Sequence, residues 1–310
     1  MIKTDTCYPL IFEPVFVPKV WAGGLLHGVP EKTGEVWTVV DRENQQSVVC
    51  NGFYEGRTLR SLISEIPEQI LGTGRPAVEF PLLVKLINAG EKLSVQVHPG
   101  ASGPDGSQSK SEMWYILDSL KGAEVFIGFR DEYSLDEVKE SMCNSSVAKL
   151  LNCQQSEIGE SYYIPAGTVH ALGAGNLVLE IQQNSDSTYR MYDWERVGDD
   201  GLPRELHISL ALSCIKPVRY RKGVNWEIEQ PSFSLKEIID TDWSTVFEIS
   251  GNYSLNCRHE SCFIVSAVSE TVITYGNIKT HLAKGYSSLI PACLNGVKIE
   301  GEKWLLSKVK

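Results

Sequence analysis

The sequence predicts a mainly β protein of sandwich or barrel type with a few helices, and three observations carry that expectation. Short apolar runs of strand length are separated along most of the chain by Gly, Pro, Asn and Asp turns. Helical periodicity is local, confined to three places. A strand-and-turn pattern also recurs: Gly159-Glu-Ser-Tyr-Tyr-Ile-Pro165-Ala is echoed by Gly285-Tyr-Ser-Ser-Leu-Ile-Pro291-Ala, with the same gap between Gly and Pro. Each copy reads as a turn, a strand and a Pro-led turn at a barrel rim.

The helices come first. Residues 58–71 carry Leu59, Leu62, Ile63, Ile66 and Ile70 at helix-like spacing. Residues 134–152 begin with a capping box, Ser134 and Glu137, and continue with Leu135, Val138, Met142, Val147, Leu150 and Leu151 as most of an apolar stripe. A third helix is expected over 204–214, after a Gly-Leu-Pro turn. Residues 215–223 then read as a connector, because Pro217 stops the helical pattern and charge replaces apolar periodicity. The domains expected on either side are 1–220, the larger, and 221–310, the smaller.

Composition narrows the function. The chain has 310 residues, 42% of them hydrophobic, and a formal net charge of -10. Such a chain buries a large core without staples, and its acidity argues against coating nucleic acid or an anionic membrane. The eight cysteines are scattered with no CxxC pair, so they read as reduced thiols of a cytoplasmic protein. The first 21 residues lack the basic-then-apolar layout of a signal peptide, and no later run approaches the roughly 20 apolar residues of a membrane span. The expected partner is a small molecule, with no nucleic acid, no membrane, and a monomer or weak homodimer as the assembly.

Three strands carry chemistry. In Leu93-Ser-Val-Gln-Val-His98 the alternation puts Leu93, Val95 and Val97 on one face and Ser94, Gln96 and His98 on the other. The strand Glu112-Met-Trp-Tyr-Ile-Leu begins with an acid whose face continues through Trp114 and Ile116. A third segment, Tyr162-Tyr-Ile-Pro-Ala-Gly-Thr-Val-His170, delivers a histidine just past a turn. Together Gln96, His98, Glu112 and His170 offer an amide oxygen, two imidazoles and a carboxylate. That donor set suits zinc with a position left open for water or substrate. Lys85 is out of place in an apolar run and, with Ser94, is a candidate for substrate binding; Glu35 is either a strand-end acid or a partner behind the site. Trp21, Trp37 and Trp114 read as core rather than sugar platforms.

Gly90-x5-Gln96-x-His98 and Gly159-x5-Pro165-x-Gly167-x2-His170 resemble the two halves of the cupin signature, with Gln96 in place of the usual first histidine. In the C-terminal echo Gly296 stands where His170 would be and Cys293 where Gly167 would be, so a second, metal-free barrel is expected there. A closer resemblance lies in Pro81-Leu-Leu-Val-Lys-Leu-Ile, Leu93-Ser-Val-Gln-Val-His-Pro99, Lys110-Ser-Glu-Met-Trp-Tyr115, Tyr163-Ile-Pro-Ala-Gly-Thr-Val-His-Ala-Leu172 and Glu180-Ile-Gln-Gln-Asn-Ser-Asp-Ser-Thr-Tyr-Arg-Met-Tyr-Asp-Trp194. These segments resemble the motifs of type I mannose-6-phosphate isomerases, most nearly the short bacterial form, over about residues 8–215.

The resemblance implies two cupin-like jelly-roll barrels with accessory helices, the C-terminal one degenerate. It implies one zinc ion per chain on Gln96, His98, Glu112 and His170, and places Arg190, Lys110 and Asp186 around the reacting carbons of a phosphosugar. The family usually carries two acids after the His-Pro, where this chain has Gly100 and Ala101, and a glycine before the motif lysine, where it has Ser109. Moving a proton between C1 and C2 through an enediol requires a base, an acid and a stabiliser of negative oxygen. Arginine cannot readily act as a base, so Arg190 is assigned to the developing charge. For the base, Asp186 stands first, with Glu180, a metal-bound water or hydroxide, and His98 as rivals. The alternatives to mannose 6-phosphate isomerisation are an isomerase or epimerase of another phosphosugar, an iron-dependent cupin oxygenase, and an inactive sugar-sensing paralogue.

Overall fold

A computed structural model describes residues 7–76, 79–101, 103–198, 201–217 and 227–310. The described residues are mainly β with four short α-helices, as the turn-rich sequence predicts. One sheet runs Ser161–Ile164, Glu112–Ser119, Asn176–Gln183, Leu82–Ala89, Thr33–Val39, Val15–Pro18 in spatial order. Its strand Leu82–Ala89 is buried at every residue, which explains the uninterrupted apolar run around Lys85. A second sheet runs Leu151–Gln155, Glu124–Phe129, His170–Leu172, Val95–Val97, Tyr189–Tyr192. The apolar faces of the strands that bear the candidate residues pack in two clusters. One gathers Val95, Val97, Phe129, Val169 and Tyr189, and the other gathers Trp21, Ile87, Trp114, Ile116 and Leu172.

The helices differ from expectation at their ends. The first is split into α1 (Leu59–Glu65), whose cap Thr58 accepts from the Ser61 N–H, and α2 (Pro67–Ile70), because Pro67 cannot continue α1 but suits a first helical turn. The capping box of Ser134 and Glu137 is present at the start of α3 (Leu135–Cys143). That helix stops well before residue 152, since Ser145 takes a φ of 59° and the Asn144 side chain accepts from the Ser146 N–H; a strand begins at Leu151. The last, α4 (Ile208–Cys214), leaves out residues 204–207, whose polar groups are engaged elsewhere.

The chain forms two compact units, one of residues 16–36 and 85–223, the other of residues 1–15, 37–84 and 224–310. The C-terminal unit therefore takes in N-terminal segments that a division at 220/221 leaves out. Leu10–Ile11 pairs with Ser287–Ile290, and the Ala292 and Cys293 N–H groups donate to the Ile70 and Gln69 carbonyls. The expected connector lies outside the described residues from 218 to 223. The two echoed segments take the same local form: Gly159 and Gly285 have φ of 88° and 87°, and each leads two residues later into a four-residue strand ending before proline. Among the described residues no helix is long and apolar enough to cross a membrane, and all eight cysteines are free.

Candidate active site

Every expected site residue lies in the unit of residues 16–36 and 85–223. The register of three neighbouring strands brings the key ones together, since Gln96 on Val95–Val97 is opposite His170 on one side and Arg190 on the other. Glu112 enters from the adjoining sheet at the start of its strand. His170 is delivered by the turn at Gly167, whose N–H donates to the His98 carbonyl and whose φ of +87° would strain any other residue. Gly90 is fixed by close approach: a Cβ there would lie 2.5 Å from the Ala22 carbonyl oxygen.

His98, Glu112 and His170 form the one cluster of potential metal-binding His, Cys, Asp and Glu groups among the described residues. Each is almost completely buried. His98 Nε2 and His170 Nε2 both lie 3.2 Å from Glu112 oxygens. Their Nδ1 atoms face backbone carbonyls, Ser187 O at 2.8 Å and Thr168 O at 2.9 Å. Those carbonyls fix Nδ1 as the protonated nitrogen and leave both Nε2 lone pairs aimed at the cluster, the arrangement seen behind metal-ligating histidines. Burial holds the His98 imidazole down, to about 3, with the Lys110 ammonium adding to the effect, and burial lowers His170 too. Burial works to raise Glu112, but the Lys110 ammonium beside it outweighs that and holds the carboxyl well below its ordinary range. Neutral imidazoles and an ionised carboxylate are the ligand forms a divalent ion requires.

Among the described residues both buried Glu112 oxygens lack a hydrogen bond of good geometry, although Lys110 Nζ stands 3.0 Å from one of them and 3.1 Å from His98 Nε2. The Gln96 amide is 3.2 Å from His170 Nε2, and its oxygen accepts from Ser94 Oγ at 3.3 Å. Turning that amide over would aim its oxygen at the cluster and let its nitrogen donate to Ser94. Orphaned carboxylate oxygens, two oriented imidazoles and a reversible amide are the donor set of a divalent metal, so these residues fit one.

The cluster adjoins a cavity of about 260 Å³ lined by Lys85, Ser94, Gln96, Lys110, Glu180, Asp186 and Arg190 among others. All ten expected residues thus lie in or beside it. Lys85 is buried, with Nζ 3.0 Å from Glu180 and 3.6 Å from Glu35; Glu35 also meets Lys19 at 3.4 Å. Burial would lower the Lys85 ammonium, but Glu180, Glu35 and Glu112 raise it, so it stays charged. Glu180 accepts from Trp114 Nε1 at 2.8 Å, and burial and Glu112 push its carboxyl up against the pull of Lys85. Asp186 is exposed at the cavity wall. Arg190 donates from Nη1 to the Glu205 carbonyl at 2.7 Å, while its buried Nε has no hydrogen-bond partner among the described residues. In the altered loop Ser109 donates to Gln183 at 3.2 Å, whereas Gly100 and Ala101 line a separate cavity with Lys216.

The sequence did not single out Lys19, Thr188, Arg204 or His207. The first three line the cavity, and Arg204 is held two-pronged by buried Asp193. The run 204–207 was expected as helix, and no local signal distinguishes a helical turn there from an extended segment whose polar groups serve a neighbouring strand.

A family model described as the catalytic domain of type I phosphomannose isomerase matches residues 28–131. The mannose-6-phosphate isomerase ManA of Bacillus subtilis (strain 168) is 34% identical over 309 residues, covering 96% of this chain and 97% of its own. A mannose-6-phosphate isomerase of Streptococcus mutans is 30% identical over 305 residues, covering 95% and 96%. The crystal structure of the mannose 6-phosphate isomerase from Bacillus subtilis is 31% identical, superposes with a TM-score of 0.87 and covers 97% of this chain and 99% of its own.

Proposed function

The chain belongs to the type I phosphomannose isomerase family, an aldose-ketose isomerase family, and on that premise we propose that it interconverts mannose 6-phosphate and fructose 6-phosphate through an enediol. The observation that carries this reading is the joining of the His98, Glu112 and His170 cluster to a cavity lined by five cationic side chains against three acids. That balance suits a doubly charged phosphate and a developing oxyanion in a chain that is acidic overall.

The ion is read as zinc, one per chain, on Gln96, His98, Glu112 and His170; when bound, it supplies a Lewis acid for the substrate oxygens. The residues of the chain do the rest. Arg190 offers paired donors from the cavity wall to the oxygen that becomes negative as the proton leaves C2. Lys110, between His98 and the cavity, is placed to donate a proton to an oxygen at C1 or C2. Of the two carboxylates, Glu180 suits the base better than Asp186, because burial and the neighbouring Glu112 raise its carboxyl above the ordinary range and Trp114 and Lys85 fix its orientation. Ser94 positions Gln96, and Lys85 keeps Glu180 aligned at the cavity wall. The unit of residues 16–36 and 85–223 is read as the catalytic barrel, and the strands of 227–310 as the metal-free one.

A coupled assay of metal-analysed protein against mannose 6-phosphate, glucose 6-phosphate and unphosphorylated mannose tests the proposal. Turnover of the first alone, lost with the metal, is expected. Turnover of a different phosphosugar in preference, or of none with the metal fully loaded, would overturn it.

A further inference from the structure

Arg190 is held by more than its own strand. In Tyr189–Tyr192 it lies opposite Gln96, yet both of its backbone polar groups are engaged on the other edge. The His207 N–H donates to the Arg190 carbonyl at 2.7 Å, and the Arg190 N–H donates to His207 Nδ1 at 3.1 Å. The Glu205 carbonyl, two residues earlier, accepts from the guanidinium at 2.7 Å. One short segment thus grips the main chain and the side chain of the same arginine.

The position of His207 makes this unusual. It is the residue just before α4, where a polar side chain ordinarily accepts from the first free N–H groups of the helix, and its side chain makes no such bond. The ring is turned to Arg190 instead. With Nδ1 as an acceptor the imidazole is neutral, its proton on Nε2, which faces the Glu205 carboxylate at 3.9 Å. The ring packs edge-on against Tyr189 at 6.3 Å, and the Tyr189 hydroxyl donates to Asp105 at 2.6 Å.

We infer that His207 is a positioning residue for the isomerisation: it fixes the main chain of Arg190 so that the guanidinium, anchored on the Glu205 carbonyl, points into the cavity. This rests on the role proposed for Arg190. A residue that merely starts a helix would change stability when replaced. A positioning residue changes turnover, and only while the arginine is there to be positioned.

The test is a double-mutant cycle of His207→Ala and Arg190→Ala on metal-loaded protein with mannose 6-phosphate, together with His207→Asn, whose Oδ1 can take the place of Nδ1. His207→Ala is expected to lower kcat on the order of 10-fold to 100-fold with KM and metal content nearly unchanged. His207→Asn should recover most of that loss, and adding His207→Ala to Arg190→Ala should cost nothing more. Should the alanine variant fail to fold, the contrast of His207→Asn with His207→Leu reads the same quantity. Equal losses from His207→Ala in both backgrounds, or no recovery with Asn at matched thermal stability, would overturn the inference. Full kcat in Arg190→Ala would instead refute the role given to Arg190, and the positioning role with it.

Discussion

Replacing Lys85 by methionine removes the cation from a buried cluster while keeping most of its volume. Lys85 Nζ lies 3.0 Å from Glu180 and 3.6 Å from Glu35, and the Lys85 and Glu180 side chains are 9% and 3% exposed. At an effective dielectric constant near 20, one such contact represents about 5 kcal/mol of attraction. The variant need not lose it all, because Glu180 can take up a proton instead. Holding a carboxyl protonated at pH 7 costs about 1.4 kcal/mol for each pH unit above its unfolded value of about 4.3, hence about 4 kcal/mol. Burial and Glu112 already push Glu180 up in the parent protein, so this is an upper limit. The sign follows from linkage. A carboxyl whose folded pKa is raised contributes stability below the unfolded pKa and loses it as pH rises toward the folded one. The stability difference between parent and variant should therefore be about 1 kcal/mol at pH 5 and grow by about 1.4 kcal/mol per unit up to pH 7. Urea unfolding followed by tryptophan fluorescence at several pH values, with metal content matched, measures it. A difference that stays flat from pH 5 to 8 would refute the assignment of a charged lysine beside a proton-accepting Glu180.

The other predictions concern the metal, the arginine and the turn. His98→Ala with His170→Ala should abolish metal binding while circular dichroism shows the β structure retained, and unchanged stoichiometry by elemental analysis would sink the site. Arg190→Ala should keep the metal and bind substrate only moderately worse, yet turn over on the order of 100-fold to 1,000-fold more slowly; a loss confined to KM would make it a uniform binding residue. Gly167→Ala forces a side chain into a φ of +87° and to 2.9 Å from the Cys214 carbonyl oxygen. It should lower stability by about 1–3 kcal/mol and weaken metal retention in a chelator titration, since the turn delivers His170. Replacing His259 and His281 together should leave metal content and turnover intact, because neither belongs to the cluster.

The approach of Gln96 and His98 to His170 was legible in the sequence because alternation along a strand is strict. The same face of Leu93 to His98 had to carry Gln96 and His98, and the Pro-Ala-Gly turn had to deliver His170. The cap of α3 was legible for a similar reason, being a local exchange between Ser134 and Glu137. What escaped notice depends on distant partners. Nothing near Leu10 says that it pairs with Leu289, so no local signal ties the N-terminal segment to the C-terminal strands. Nothing in Arg204-Glu-Leu-His207 says that Asp193 and Arg190 will claim its polar groups and hold it out of the helix. That Glu180 is buried and Asp186 exposed likewise depends on the surrounding strands, which alternation alone does not report.

The three-residue strand Val95–Val97 has a consequence for anyone engineering this scaffold. Gln96 is flanked by His170 and by Arg190, so the strand acts as a common ruler for both halves of the site. A single residue inserted between Gly90 and Ser94 would shift the strand by about 3.3 Å and swap its faces, exchanging Gln96 for an apolar neighbour at both borders in one step. A second change in one flanking strand could restore only its own border and would leave the other out of register. Variation in chain length is therefore better placed in the polar loop between Pro99 and Lys110, whose Gly100 and Ala101 line the separate cavity beside Lys216, because a change of length there leaves the pairing of Gln96 with His170 and with Arg190 in register.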